Sequence, residues 1–164
     1  MTNQKSQCIS LVDATNRTQL RQEELQHIET HAEAYGVEEY TDVARRMFDA
    51  GEPVPRSGEG RRMWDIMEDD VFVGTIVLIP ELDTPGWYSF DISVFDGFSG
   101  SGVGREATEQ LLDELKAQGE VDGLVADVRP ENPNQARIGS LLRRVGFESP
   151  NGGSYWTLEI QRGT

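Results

Sequence analysis

The sequence predicts a single α/β domain with a mixed sheet, in which an antiparallel meander is followed by a β-α-β crossover and a C-terminal helix and strand. Three apolar segments between residues 62 and 95 are separated only by turn-forming residues, which favours antiparallel hairpins. A glycine-rich segment then leads into a helical stripe, and an apolar strand follows that helix. A strand, helix and strand in this order imply a crossover with locally parallel pairing.

The first half of the chain is assigned from the periodicity of its apolar residues. Gly36 and Gly51 lie where two helical stripes stop, as glycines at helix ends commonly do. Residues 52–60 are rich in proline and glycine and are predicted to form a loop. The predicted elements are a strand over 9–12, a helix over 18–35, a helix over 41–50, and strands over 62–67, 71–79 and 87–95.

The second half continues with a helix that ends near Gly119, a strand over 124–128, a helical stripe over 136–145 and a strand over 155–160. The break before the last helix is marked by Pro130 and Pro133, and Gly146 stops that helix. No internal repeat or low-complexity segment interrupts this order. Residues 1–164 are therefore predicted to form one domain.

Composition limits the partners that we expect. The formal net charge of −14 disfavours nucleic acid and anionic membranes, because phosphate backbones are bound mainly through Lys and Arg. Cys8 is the only cysteine, so neither an internal disulfide nor a Cys-rich zinc site is expected. Residues 1–7 lack the apolar core of a signal peptide and no apolar run approaches about 20 residues, so a cytoplasmic location is expected.

The glycine-rich segment predicts a phosphate site. It contains Gly100, Gly102 and Gly104 between an alternating strand and a helix. Unpaired N–H groups and the positive end of the helix dipole converge at such a junction. A nucleotide P-loop would need a lysine that is absent, and a dinucleotide fingerprint would need a glycine where Arg105 stands.

The segment resembles the acyl-CoA loop of the GNAT superfamily of N-acyltransferases. Val94 ends the strand, Phe98 supplies an aromatic residue, and 99–104 match the Arg/Gln-x-x-Gly-x-Gly motif, with Ser99 in place of the usual Arg or Gln. The resemblance implies that acetyl-CoA (coenzyme A) is the cofactor. The residues implied to bind it are Val94, Phe95, Ser99, Gly100, Ser101, Gly102, Val103, Gly104 and Arg105.

A second match with the GNAT pattern lies in the C-terminal half, where Val128 ends a strand and Asn132 precedes a helix that stops at Gly146. The resemblance implies that Asn132 borders the cofactor. Counting back from Gly146 instead places Gln135 at the asparagine position, with Asn134 beside it. A turn in which Asn132 caps the helix explains the same residues.

Acyl transfer to an amine needs a free lone pair, so a proton acceptor is useful. Asp91 is the candidate, since it lies three residues before Val94 and opposite the apolar stripe of its strand; a solvent-facing aspartate is the alternative. A backbone N–H of Val94 or Phe95 would polarise the thioester carbonyl. The resemblance places a general acid at the position of Leu142, whose side chain carries no proton to donate. Tyr155, Tyr88 or water would then protonate the departing thiolate, or the reaction needs no acid.

His27 and His31 are spaced i, i+4 on a predicted helix, a spacing that can bind a metal ion. The zincin order His-Glu-x-x-His is absent, so a solvated helix face is favoured and no metal site is predicted. The resemblance implies that this helical region lines the acceptor pocket, where Tyr35, Tyr40 and the two histidines would contact the substrate.

The predicted function is transfer of an acetyl group from acetyl-CoA to a primary amine by direct attack. The acceptor is a small-molecule or peptide amine, and the acidic composition favours a cation. The alternative is a non-catalytic regulatory module that binds acyl-CoA, which Leu142 and Ser99 would fit. The resemblance also allows a homodimer through the terminal strands.

Overall fold

The structure is a computed structural model that describes residues 8–17, 19–54, 60–98, 102–130, 132 and 134–160. Its helices are α1 (Gln22–Thr30), α2 (Ala32–Tyr35), α3 (Glu38–Asp49), α4 (Val103–Gln118) and α5 (Gln135–Arg144). Its strands are β1 (Ile9–Asp13), β2 (Arg62–Glu68), β3 (Val71–Pro80), β4 (Trp87–Val94), β5 (Gly123–Asp127) and β6 (Tyr155–Glu159).

The six strands form one sheet in chain order, β1-β2-β3-β4-β5-β6. Every neighbouring pair is antiparallel except β4 and β5, which are parallel and are connected through α4. The prediction of a mixed sheet with an antiparallel meander and a β-α-β crossover is confirmed.

The main core lies where α4 packs on the sheet. Apolar residues of α4 recur at helical spacing and are almost fully buried, as the sequence pattern indicates. They meet the side chains on one face of β4, including Phe90 and the partly buried Ile92 and Val94. Because successive strand residues alternate in direction, Asp91, Ser93 and Phe95 project to the opposite face. There Phe95 packs 5.3 Å from the ring of His27 in α1, measured between ring centroids.

The helical region before β2 differs from the prediction. One helix over 18–35 was expected, but His31 leaves the helical conformation at φ −110° and ψ 15° and separates α1 from α2. Thr18, the predicted start, lies outside the described residues. Gly36 closes α2 in the left-handed region at φ 67°, as its position predicts, and α3 starts at Glu38 rather than Thr41.

The two parallel strands separate before they end. Pairing joins Trp87–Ser89 to Gly123–Val125 and goes no further, although β4 continues to Val94 and β5 to Asp127. The separation opens the centre of the sheet beside the last residues of β4. The molecule therefore has a cleft between the end of β4 and the start of α4.

Candidate active site

The cleft has a volume of about 490 Å³ and is walled by the end of β4, the start of α4, one face of α5 and the helices α1 and α2. These walls come from segments that are distant in sequence. The residues that line it are His27, His31, Tyr35, Ile92, Ser93, Val94, Asp96, Gly102, Gly104, Arg105, Asn134, Arg137, Ile138, Ser140, Leu141 and Arg144.

The backbone of β4 presents an amide to the cleft. The Phe95 N–H donates to the Val73 carbonyl at 2.8 Å, so this amide is used within the sheet. Backbone groups of consecutive strand residues point to opposite sides, and the Val94 N–H therefore points away from β3 towards the side from which β5 has separated. Of the two predicted donors, Val94 is the one that faces the cleft.

The start of α4 forms the second wall. Gly102 precedes the helix in the left-handed region at φ 85°, a conformation that glycine adopts without steric cost, and a Cβ there would meet nothing within 4 Å. The first-turn amides of Val103, Gly104 and Arg105 have no partners inside the helix by geometry, and no described side chain caps them. The predicted ligand residues Ser99, Gly100 and Ser101 lie outside the described residues.

Positive charge reaches the cleft from two helices. Arg105 of α4 lines it and also bonds to Glu109 at 3.0 Å. Arg137 and Arg144 of α5 line the same cleft and were missed by the sequence reasoning. The sequence does contain a signal for them, because Arg137 and Arg144 are seven residues apart and this spacing places both on one face of a helix. Arg105, Arg137 and Arg144 together form a basic wall of the cleft.

Asn132 lies beside a smaller cavity of about 60 Å³ that Asp91 also lines. Its Oδ1 accepts the Asn134 N–H at 2.9 Å, which closes a turn just before α5; Asn134 is the N-cap residue of that helix and no described side chain caps it, so the capping role considered for Asn132 is not found. Asn134, rather than Asn132, lines the larger cleft. The contact implied for Asn132 with the cofactor stays a prediction.

Asp91 lies where β4 has lost its β5 neighbour. Solvent reaches the side chain because the strands have separated, yet protein surrounds it closely enough that burial raises the pKa of its carboxyl. A hydrogen bond from the Ile92 N–H to the carboxylate lowers the pKa and offsets part of the increase caused by burial. A carboxylate with a raised pKa is a stronger proton acceptor than an ordinary aspartate.

The opposite end of the cleft is aromatic and acidic. Both carboxylate oxygens of Asp96 lie 3.2 Å from His31 Nε2. The Tyr35 hydroxyl lies 3.4 Å from His27 Nε2, and the two imidazole centroids are 4.6 Å apart. Burial lowers the pKa of His27, helped by His31, whereas burial and the charges of Asp91 and Asp96 raise the pKa of Tyr35.

The expectation of a solvated histidine face was wrong. His27 is only 8% exposed, and both histidines point towards the cleft because α1 packs on Phe95 at the end of β4. Tyr40, also implied at the acceptor pocket, does not line the cleft.

The predicted acid residues lie elsewhere. Tyr155 begins β6, is 54% exposed and lines neither the cleft nor the small cavity, of which Asp91 lines only the small one. Tyr88 pairs with Leu124 before the strands separate. Leu142 is 1% exposed, packs in the main core and borders the small cavity as an apolar wall.

A sequence model of the acetyltransferase (GNAT) domain matches residues 11–148, most of the chain. The chain belongs to the GNAT acetyltransferase family. The predicted family and the predicted class of enzyme, an acetyl-CoA-dependent N-acetyltransferase, are thereby confirmed. No curated protein matches the sequence significantly.

Solved structures share the fold of this GNAT domain. A GNAT-family protein from Desulfovibrio desulfuricans is 18% identical with a TM-score of 0.60, over 94% of this chain and 100% of its own. Campylobacter jejuni N-acetyltransferase PseH in complex with acetyl coenzyme A is 16% identical with a TM-score of 0.57, over 94% and 100%. Vibrio cholerae spermidine N-acetyltransferase in complex with CoA and spermine is 14% identical with a TM-score of 0.59, over 93% and 95%.

The residues of this GNAT domain fit acetyl-CoA. The open space at Gly102 and the uncapped amides of α4 suit a diphosphate, and the basic wall supplies countercharge. The apolar surface of Ile138 and Leu141 continues from that wall towards Val94, where an amide faces the cleft. In the described part of the chain, the helices are too short or too polar to cross a membrane.

Proposed function

We propose that this GNAT acetyltransferase transfers the acetyl group of acetyl-CoA directly to a primary amine that is cationic in solution. The observation that carries the proposal is the polarity of the cleft. Arg105, Arg137 and Arg144 line it on the side of α4 and α5, while Asp96 lines it beside α1 and α2. An anionic cofactor and a cationic acceptor would therefore be drawn to different ends, with the end of β4 between them.

Acetyl-CoA supplies an acetyl group that is already activated as a thioester. The amides at the start of α4 and the guanidinium groups of α5 would hold its phosphates. The Val94 N–H would stabilise negative charge on the carbonyl oxygen as the amine attacks, since a fixed donor in a cleft needs no reorganisation.

Asp91 is proposed as the proton acceptor for the amine. An aliphatic ammonium ion is free as amine only to about one part in 10³ at neutral pH, so a nearby base raises the reactive fraction. Burial raises the pKa of Asp91, which favours proton uptake, and Asp91 also acts electrostatically on Tyr35 at the acceptor end of the cleft. The carboxylate would also attract the cation before it loses its proton.

The departing thiolate needs little help, because a thiol pKa near 8.5 makes it a good leaving group. Tyr155 stays a predicted donor. Tyr35 lines the cleft and its raised pKa keeps the hydroxyl protonated at neutral pH, so it is the better placed alternative. Comparison of the Tyr155→Phe and Tyr35→Phe variants by turnover number distinguishes the two.

Direct attack requires no acetyl-enzyme. Cys8, the single cysteine, is exposed and does not line the cleft, so a Cys8→Ser variant is expected to keep the wild-type turnover number. Initial-rate plots with both substrates varied should intersect, whereas parallel lines or a loss of turnover in Cys8→Ser would point to a covalent intermediate.

The deciding experiment follows free thiol release from acetyl-CoA with a panel of amines: a polyamine, an amino acid, an amino sugar and peptides with free α-amines. Turnover with at least one cationic amine, and mass spectrometric detection of the N-acetyl product, support the proposal. Calorimetric binding of acetyl-CoA without turnover across the panel would favour the regulatory module instead, for which the buried Leu142 at the acid position is the supporting observation.

A further inference from the structure

Two histidines and an aspartate meet at the acceptor end of the cleft, although Asp96 is 65 residues from His31 in the sequence. His27 lies within α1 and His31 ends it one turn later, so both rings project on one side. Asp96 lies two residues after the end of β4 and approaches them from the sheet. One ligand atom from each of the three side chains lies within 4.8 Å of the others.

From this convergence we infer that His27, His31 and Asp96 form a binding site for a divalent transition-metal ion. Two imidazole nitrogens and one carboxylate oxygen are a donor set typical of Zn²⁺, Co²⁺ or Ni²⁺, whereas Mg²⁺ and Ca²⁺ prefer oxygen donors alone. The proposed acetyl transfer requires no metal ion. The ion would therefore occupy the acceptor end of the cleft without taking part in the proposed transfer.

An unsatisfied buried nitrogen supports the inference independently. His27 is more than nine-tenths buried, and its Nδ1 has no hydrogen-bond partner among the described residues. A buried polar atom without a hydrogen-bond partner is costly, and a metal ion bound at Nδ1 would remove that cost. With Nδ1 as the ligand atom, Nε2 faces the Tyr35 hydroxyl at 3.4 Å, and a water molecule would complete four-coordination at the ion.

The geometry requires only small adjustments. A tetrahedral ion with bonds of about 2.1 Å holds its ligand atoms about 3.4 Å apart. The Asp96 side chain is 66% exposed and that of His31 is 22% exposed, so rotation of these two groups can close the present separations. Asp96 already faces the His31 nitrogen with both oxygens at 3.2 Å, an arrangement in which a cation can replace the shared proton.

The test uses the untagged full chain, freed of metal with a chelator and then titrated with Co²⁺ and Zn²⁺ without acetyl-CoA. We expect one ion per chain, with the visible absorption bands of low-symmetry Co²⁺ and displacement of Co²⁺ by Zn²⁺ but not by Mg²⁺. His31→Ala and Asp96→Asn should each weaken Zn²⁺ binding about tenfold or more in calorimetry. The matched control Asp113→Asn removes an exposed carboxylate of α4 and should bind Zn²⁺ as the wild type does.

Absence of one-to-one binding would overturn the inference, as would unchanged affinity in Asp96→Asn, an exposed position whose replacement should not impair folding. A Cys8→Ser variant must retain the site, since loss of binding there would assign the metal to the exposed thiol. Because no cofactor or acceptor is present, the outcome is independent of the amine panel. If the site exists, Zn²⁺ should inhibit acetyl transfer competitively with the amine and not with acetyl-CoA.

Discussion

Asp91 lies in the part of β4 that no longer pairs with β5, because the pairing of the two strands ends at Ser89. A strand aspartate in the middle of a sheet would ordinarily have a paired strand on both sides. An Asp91→Asn variant preserves size and removes the charge. We expect the turnover number to fall about 10²- to 10³-fold, a typical loss for a general base, while calorimetry shows unchanged acetyl-CoA affinity. Asp113→Asn on the exposed face of α4 is the control. Equal turnover in both variants would remove Asp91 from the mechanism.

The raised pKa of Asp91 leads to a predicted pH dependence of the free energy of unfolding. Burial raises the pKa of Asp91 in the folded protein, so the folded state binds more protons than the unfolded chain. The free energy of unfolding therefore falls as the pH rises from the ordinary value of about 3.9 through the raised pKa. Because solvent also reaches the Asp91 side chain, Asp91→Asn should raise the thermal midpoint at pH 7 only slightly, and the gain should shrink towards pH 4. A lower midpoint at pH 7 would contradict the raised pKa.

Helix α4 begins and ends with a glycine in the left-handed region, which provides a matched pair of variants. Gly102→Asp and Gly119→Asp should each lose about 1–2 kcal/mol of unfolding free energy, because a side chain is strained at φ 85° and φ 70°. Only Gly102→Asp places a carboxylate at the uncapped amides. We expect calorimetry to detect acetyl-CoA binding for Gly119→Asp and none for Gly102→Asp. Equal affinities would mean that the diphosphate lies elsewhere.

Helix α5 carries neighbouring arginines on different faces. Arg144 lines the cleft, whereas the guanidinium of Arg143 lies 5.5 Å above the ring of Trp156. Arg144→Ala should weaken acetyl-CoA binding by about 1 kcal/mol, roughly fivefold in Kd, and flatten its salt dependence. Arg143→Ala removes the same charge and should leave the Kd unchanged. If the two variants bind acetyl-CoA with the same Kd, Arg144 does not contact the cofactor.

The helical layer is joined to the sheet by a buried ionic network. Arg17 bonds both Glu24 of α1 and Asp65 of β2, whose side chains are 6% and 3% exposed. The network joins two layers of the molecule, because it holds α1, which carries the histidines of the cleft, against β2 of the sheet. Loss of Arg17 would leave two buried carboxylates without this cation.

Arg17→Ala is therefore expected to lower the free energy of unfolding by about 3–5 kcal/mol in urea denaturation. Arg45→Ala is the surface counterpart, since Arg45 and Glu29 are both about one-third exposed, and should cost at most about 1 kcal/mol. Similar losses in the two variants would show that burial does not strengthen the Arg17 network.

The elements of this fold were predictable because periodicity is a local property. The alternation of residues 87–95 and the helical stripe of α4 follow from side-chain direction alone, and both are confirmed. The interruption at His31 was not predicted, since nothing local distinguishes it from a helical residue. The glycine-rich junction and its helix start were also predicted, because Gly102 needs a conformation that other residues rarely adopt.

By itself, the sequence determined the family, the order of the elements and the strand, loop and helix that form the candidate cofactor site. Only the tertiary structure decided which side chains share the cleft. Arg137 and Arg144 reach it because α5 packs beside the separated strands, and Asp96 meets His31 because α1 packs on the end of β4. Local patterns fix backbone conformation, whereas contacts between distant segments depend on how the sheet and its helices are stacked.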